Sequence, residues 1–210
     1  MEQIADGEGA GLFERQQDIR TDSSDFNGVV AFGANLPRKS AEPRQTVEEA
    51  VRALTDRDVA VLARSAIYSS PAVPPGSGPD FVNGVIGVQW AGDASSLLDV
   101  LHDVEAAFGR TRDARWAPRP LDLDLIAFGQ SVLPDAETQD RWRNLAPDRQ
   151  RIETPEMLIL PHPRMQDRAF VLKPMADIAS GWTHPRTGLT VVQHLENLDS
   201  SEVEAVEALE

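Results

Sequence analysis

The segment Arg-Pro-Leu-Asp-Leu-Asp-Leu-Ile-Ala-Phe, residues 119–128, is the most informative stretch of this 210-residue chain. Side chains alternate between two faces along a β-strand, so its three leucines point one way and Asp122 and Asp124 point the other way. The leucine face predicts a strand that lies on a hydrophobic core. On the opposite face, the Cα atoms of the two aspartates would stand about 6.5–7 Å apart, twice the rise per residue.

Three β-prone segments and two helical patterns precede this strand. Runs rich in β-branched residues predict strands at 29–32, 59–68 and 81–90. A capping box from Thr46 to Glu49 predicts the start of one helix, and Ser95 or Ser96 the start of the next. The order β-α-β-β-α-β is that of the split βαβ, or ferredoxin-like, unit. We therefore expect an α+β fold, with an antiparallel sheet, two helices on one face and extra C-terminal elements.

The sequence around this core predicts a single domain with acidic ends. Residues 1–25 show no sustained apolar period and are expected to be a flexible acidic extension. The domain is expected to span 26–198 and to include an insertion loop at 129–156, of which residues 135–156 are polar and poor in apolar residues. A short closing helix is predicted at 189–198, followed by an acidic tail at 199–210.

Composition and charge exclude several classes of protein. The net charge is −14, of which residues 1–25 carry −5 and residues 196–210 carry −6, leaving −3 for 26–195. This balance argues against binding to nucleic acid or to an anionic membrane surface. There is no cysteine, so disulfides and thiolate metal sites are excluded. No signal peptide or membrane span is recognisable, so we expect a cytoplasmic protein, and we expect a monomer.

The aspartate pair and the residues before it suggest a metal site for a polyphosphate. Two adjacent carboxylates repel each other unless a positive charge lies between them, and an all-oxygen ligand set favours Mg²⁺ over Zn²⁺. A solvated acidic face on an ordinary strand explains the pair alone equally well. Four arginines precede Asp122 closely, and such a cluster could neutralise charge during phosphoryl transfer. They are Arg110, Arg112, Arg115 and Arg119.

Two other groups of residues could bind ligands. His162 lies between two prolines, which stiffen its backbone, and Arg168 follows six residues later. Such a pair suits phosphate, although a lone histidine is more often structural. Phe81 and Asn83 share a strand face, where a ring could stack on a flat heterocycle while the amide hydrogen-bonds to its edge. A core phenylalanine and an asparagine at a strand end would be the simpler interpretation.

Taken together, these motifs resemble the family of 6-hydroxymethyl-7,8-dihydropterin pyrophosphokinases of folate biosynthesis, over roughly residues 28–195. The matching motifs are Gly33-Ala34-Asn35-Leu36, Ser70-Pro71, Phe81-Val82-Asn83, Glu105 with Gly109-Arg110, Arg115-Trp116-Ala117-Pro118-Arg119-Pro120-Leu121-Asp122-Leu123-Asp124, and Pro161-His162-Pro163 with Arg168 and Phe170. Several motifs in the same order are more specific than any one of them.

The resemblance implies an activity and a set of site residues. The enzyme would transfer the β,γ-pyrophosphoryl group of ATP to the hydroxymethyl group of a dihydropterin, giving AMP. Asp122 and Asp124 would bind two Mg²⁺, and with Arg110 and Arg119 they would be the catalytic residues. The residues implied for ATP are Glu105, Arg112, Arg115, Trp116, Leu125, His162 and Arg168. The residues implied for the pterin are Ser70, Pro71, Val73, Phe81, Asn83 and Phe170.

Two alternatives belong to other functional classes. A metal-dependent phosphoesterase would need several histidines, and the four in this chain show no ligand spacing. A non-catalytic ferredoxin-like binding module would give no reason for the aspartate pair, His162 and the arginines to converge. Formation of AMP from ATP would distinguish the pyrophosphokinase from both.

Overall fold

The structure is a computed structural model that describes residues 25–37, 41–72, 78–109 and 120–210. Within those ranges, no helix combines the length and the apolar character needed to cross a bilayer. A short 3₁₀ helix spans Met165–Asp167. The strands and helices are β1 Gly28–Ala34, α1 Pro43–Thr55, β2 Ala60–Arg64, β3 Tyr68–Ser70, β4 Phe81–Gln89, α2 Ala94–Ala107, β5 Asp122–Phe128, α3 Ala136–Arg143, α4 Pro147–Ile152, α5 Ala169–Ala179, α6 Val191–Glu196, α7 Ser200–Glu204 and β6 Glu207–Ala208.

The strands form one antiparallel sheet in the order β5-β1-β4-β3-β6, and β2 also pairs with β4. The single strand predicted at 59–68 is therefore two strands, both on β4. Between β2 and β3, the hydroxyl of Ser65 accepts a hydrogen bond from the Val85 N–H at 2.9 Å. This side-chain bond takes the place of a backbone hydrogen bond between the strands. With β2 and β3 taken together, the order is that of the ferredoxin-like unit, which confirms the predicted fold class.

The two predicted helices lie on one face of the sheet as expected, and a helix among the extra C-terminal elements covers the other face. α1 and α2 pack on the face that carries Val30, Leu123 and Leu125. On the opposite face, α5 packs its own apolar residues against Val85 and Ile126. This second layer forms because that face is also apolar along much of its length, and its burial from water stabilises the fold.

The two long helices begin at other residues than predicted. α1 starts at Pro43, where Glu42 and Gln45 form the capping box, and Thr46 is fully buried. α2 is capped by Asp93, whose side chain accepts the Ser96 N–H at 2.8 Å. Proline at the first helical position and an acidic N-cap are both favourable helix starts.

Two segments predicted to be irregular contain regular structure. In 129–156, α3 is capped by Asp135 and α4 follows. In 199–210, α7 is capped by Asp199, β6 pairs with β3, and Val206 is buried at 3% exposure. Several acidic residues of these segments act as caps, and Asp140 pairs with Arg143 and Arg186, so a high negative charge does not prevent folding. Residues 1–24, predicted to be an extension, lie outside the described ranges.

Candidate active site

A row of residues crosses four strands on the face that α5 covers. Tyr68 pairs with Asn83, Asn83 with Gly33, and Gly33 with Asp122. Directly paired residues of neighbouring strands point to the same face. The predicted pterin-binding asparagine and the predicted metal-binding aspartate therefore face the same side, two strand spacings or about 10 Å apart.

The aspartate pair stands on this face as predicted. Asp122 and Asp124 are partly exposed, while the three leucines that alternate with them are buried in the α1/α2 core. The Oδ2 atom of Asp124 lies 3.6 Å from Nη1 of Arg168, which precedes α5. With side-chain exposures of 37% and 24%, this ion pair adds little to stability, about 0–1 kcal/mol. Both groups remain accessible to a ligand.

His162 lies beside the outer edge of β5. Its backbone N–H donates to the Ile126 carbonyl at 2.8 Å, and its Nδ1 accepts the Arg164 N–H at 3.1 Å. Burial, with the positive charges of Arg168 and Arg164, lowers the pKa of His162 from 6.5 to about 3. The charge of Asp122 opposes that shift. The ring is therefore neutral, with its proton on Nε2, where it can be donated to an anionic oxygen.

The amide of Asn83 is oriented by Ser70. Its Nδ2 donates to the Ser70 hydroxyl at 2.9 Å, and both side chains are buried. The amide oxygen consequently faces β1, where a Cβ added at Gly33 would lie 3.2 Å from it. Two partly exposed rings flank this region, Phe81 at the start of β4 and Phe170 at the start of α5. The guanidinium carbon of Arg168 lies 5.6 Å from the Phe170 ring centroid.

Two residues implied for ATP have buried side chains. The carboxylate of Glu105 accepts the Leu123 N–H at 2.8 Å, and Glu105 is 2% exposed. Because β5 is at the sheet edge, this bond replaces a missing neighbouring strand. Leu125 is 3% exposed and lies in the α1/α2 core, on the face opposite to the aspartates. The side chain of Leu125 therefore points away from a ligand held by the aspartates, so any contact would involve its backbone.

Sequence reasoning missed the pair formed by Tyr68 and Asp177. The Tyr68 hydroxyl donates to the Asp177 carboxylate at 3.0 Å, which attaches α5 to β3 beside Asn83. Four residues earlier, Lys173 donates to the carbonyls of Val203 and Val206. The i, i+4 spacing of these two charged residues on an otherwise apolar helix was the available signal.

Some predicted site residues lie outside the part of the chain that the structure describes. Arg110, Arg112, Arg115, Trp116 and Arg119 lie within 110–119, and Val73 lies within 73–77, outside the described residues. Pro71 is described and exposed, next to Ser70. The roles assigned to these residues stay predictions.

The donor atoms of the site fit magnesium. Among the described residues, no group of three or more His, Cys, Asp or Glu side chains could hold a metal ion. The aspartate pair would thus supply two carboxylates and leave other positions to water and phosphate. Mg²⁺ is commonly bound in this way, through one or two carboxylates together with substrate phosphates.

Comparison with known proteins identifies sequences similar to this chain. The family model described as 7,8-dihydro-6-hydroxymethylpterin-pyrophosphokinase matches residues 29–180. A Synechocystis protein named 2-amino-4-hydroxy-6-hydroxymethyldihydropteridine pyrophosphokinase is 37% identical over 66% of this chain and 60% of its own length. A Pseudomonas aeruginosa protein of the same name is 37% identical over 71% of this chain and 78% of its own.

A solved structure shows the same fold at low sequence identity. Wild-type HPPK-DHPS of Plasmodium falciparum superimposes with a TM-score of 0.54 and 13% identity, over 86% of this chain and 46% of that one. The family model covers most of the described domain, and the Pseudomonas relative aligns over more than two thirds of its length. The resemblance seen in the motifs is confirmed: the chain belongs to the 7,8-dihydro-6-hydroxymethylpterin-pyrophosphokinase family.

Proposed function

We propose that this protein transfers the pyrophosphoryl group of ATP to the hydroxymethyl group of 6-hydroxymethyl-7,8-dihydropterin, with release of AMP. The observation that carries the proposal is the in-register row from Asn83 through Gly33 to Asp122. It brings an amide suited to a heterocycle edge and a carboxylate suited to metal-bound phosphate onto one face. Family membership supports the same reaction.

The pterin would bind between the rings of Phe81 and Phe170. Aromatic faces stack well on a flat heterocycle, and both rings are partly exposed. The Asn83 amide, held by Ser70, would hydrogen-bond to the edge of the heterocycle. Backbone atoms from Ser70 to Val73, including Pro71, would complete this side of the site.

ATP would bind on the side of the aspartates. Asp122 and Asp124 would hold Mg²⁺, which when bound neutralises phosphate charge and orients the β-phosphoryl group. The neutral His162 ring would donate from Nε2 to a phosphate oxygen, and Arg168 would add a positive charge. The hydroxymethyl oxygen would then form its bond to the β-phosphorus while the bond from that phosphorus to the α,β-bridging oxygen breaks. AMP would leave with the bridging oxygen, and the hydroxyl proton would pass to water. Most of the acceleration would come from positioning and charge neutralisation.

The arginine-rich segment would complete the phosphate site. Arg110 and Arg119 would stabilise charge in the transition state. Glu105, Arg112, Arg115, Trp116 and the backbone of Leu125 would contribute to ATP binding. A monomeric, cytoplasmic enzyme is part of the proposal, and size-exclusion chromatography would test the first property.

Product analysis tests the function directly. The purified protein is incubated with ATP, MgCl₂ and 6-hydroxymethyl-7,8-dihydropterin, and the nucleotides are separated by ion-exchange chromatography. We expect AMP in equimolar amount with the pterin diphosphate, and none when the pterin is omitted. ADP or free phosphate as the main product would contradict the proposal and favour a phosphoesterase. Ligand binding without turnover would favour a binding module.

A further inference from the structure

We propose that Gly33 determines specificity by keeping open the passage through which the 6-substituent of the pterin reaches the phosphate side. The inference rests on the proposed function and concerns a residue whose role the motifs leave unassigned. Gly33 stands between Asn83 on β4 and Asp122 on β5, paired with both. A substituent that extends from a heterocycle held at Asn83 to a phosphate held at Asp122 must cross β1 at this position.

The space above Gly33 is open on one side. A Cβ built at this residue would lie 3.2 Å from Oδ1 of Asn83 and 4.0 Å from the Val82 carbonyl oxygen, and would meet no other described atom within 4 Å. Apart from Asn83, no described side chain outside the residues adjacent to Gly33 therefore lies within 4 Å of that Cβ position. Gly33 itself is partly exposed.

Other glycines of the sheet differ in this respect. A Cβ at Gly28, Gly84 or Gly87 would collide with an apolar side chain, respectively Val88, Phe32 or Phe26. Those glycines make room for the protein's own core. At Gly33, the nearest side-chain atom is the amide oxygen of the proposed pterin site, so the free space adjoins the site and not the core.

Backbone conformation does not explain the glycine. Gly33 is absent from the described glycines with positive φ, which are Gly109, Gly129 and Gly188. It lies in the regular ladder of β1, where alanine is conformationally allowed. Gly33→Ala would therefore act by occupying space, with little backbone strain and a shift of the Asn83 amide oxygen by a few tenths of an ångström.

The test compares two pterins that differ only at the 6-position. Binding of 6-hydroxymethylpterin and of unsubstituted pterin is measured by fluorescence titration, with Mg²⁺ and a nonhydrolysable ATP analogue present. We expect Gly33→Ala to weaken binding of the hydroxymethyl compound about tenfold, or about 1.4 kcal/mol. Binding of unsubstituted pterin should change less than about twofold, because it places no group over β1.

A matched variant controls for the change from glycine to alanine. A Cβ at Gly181 would meet nothing within 4 Å, and its φ is not positive. Gly181→Ala should leave both affinities unchanged, and circular dichroism should show that both variants are folded.

Other outcomes would overturn the inference. Equal weakening of both pterins would mean that the added methyl group displaces the Asn83 amide, and that no passage for the substituent is involved. Unchanged binding of both would mean that the space is not used. If the wild-type protein binds neither pterin, the proposed function fails and the inference fails with it, whereas a failure of the inference alone leaves wild-type binding intact.

Discussion

The titration of Tyr68 gives a direct test of the contact between α5 and β3. Tyr68 is the only tyrosine of the chain and is 7% exposed. Its hydroxyl donates to Asp177, whose carboxylate also accepts the Ala66 N–H at 3.1 Å. Because α5 begins with Ala169 and Phe170 and β3 ends at Ser70, this contact joins two elements that border the proposed pterin site.

The surroundings of Tyr68 determine how far its pKa is expected to shift. Burial first, and then the charge and hydrogen bond of Asp177, raise the pKa of Tyr68 from 10.0 to about 12. A shift of this size corresponds to roughly 3 kcal/mol between the two protonation states. The unfolded chain would release the phenolic proton near pH 10, while the folded chain retains it. The contribution to stability is therefore fully present below pH 10 and is lost as the pH rises towards 12.

The assay follows tyrosinate by near-ultraviolet absorbance during an alkaline titration. A single tyrosine makes the signal unambiguous, and circular dichroism checks that the protein stays folded. We expect a midpoint near pH 12 in the wild type. Asp177→Asn should lower the midpoint but leave it above 10, because burial is the largest cause of the shift. Asp99→Asn, a change of the same kind on α2, should have no effect.

Two results would refute this reasoning. A wild-type midpoint near 10 would mean that the phenol is hydrated in the folded protein. A raised midpoint that Asp177→Asn does not lower would mean that the carboxylate is not the partner of Tyr68 in solution.

Three further predictions concern the site and the stability of the fold. Asp124→Ala should nearly abolish AMP formation with an unchanged circular dichroism spectrum, and Asp99→Ala should retain full activity; substantial turnover by the first variant would contradict the metal assignment. Ser70→Ala should raise the KM for the pterin about two- to tenfold through loss of one hydrogen bond to Asn83, without changing the KM for ATP. Burial is the largest cause that lowers the pKa of His184 from 6.5 to about 4, so the free energy of unfolding in urea should decrease as the pH falls from 6.5 to 4, and His184→Asn should reduce that slope.

Sequence patterns that repeat every two to four residues correctly predicted which faces of the strands and helices are buried. The alternation of leucine and aspartate in β5 predicted both faces of the strand, because a period of two leaves each residue one orientation. The spacing of Leu97, Leu101 and Val104 by four and three residues is likewise typical of a buried helix face, and α2 buries all three. These two patterns identified the core and the carboxylate face.

Features that depend on distant partners were not predictable in this way. α3 has little apolar periodicity, and Asp140 on it is held by Arg143 and by Arg186, which is 46 residues away. The bond from Tyr68 to Asp177 spans 109 residues. The capping choices of α1 and α2 also failed, since serine and threonine near a helix start are common whether or not they cap it.

The register in which residues 122–125 of β5 pair with β1 makes one kind of misfolding unfavourable. A shift of β5 by one residue would exchange its two faces, turning Asp122 and Asp124 towards α2 and its leucines towards the ligand side. Two carboxylates in an apolar core would cost several kcal/mol each. A domain of this size is stable by only about 5–15 kcal/mol. A chain in which β5 is shifted by one residue would therefore be unstable and would not accumulate as a folded but inactive protein. The alternation of leucine and aspartate that positions the carboxylates thus also disfavours this misfolded form.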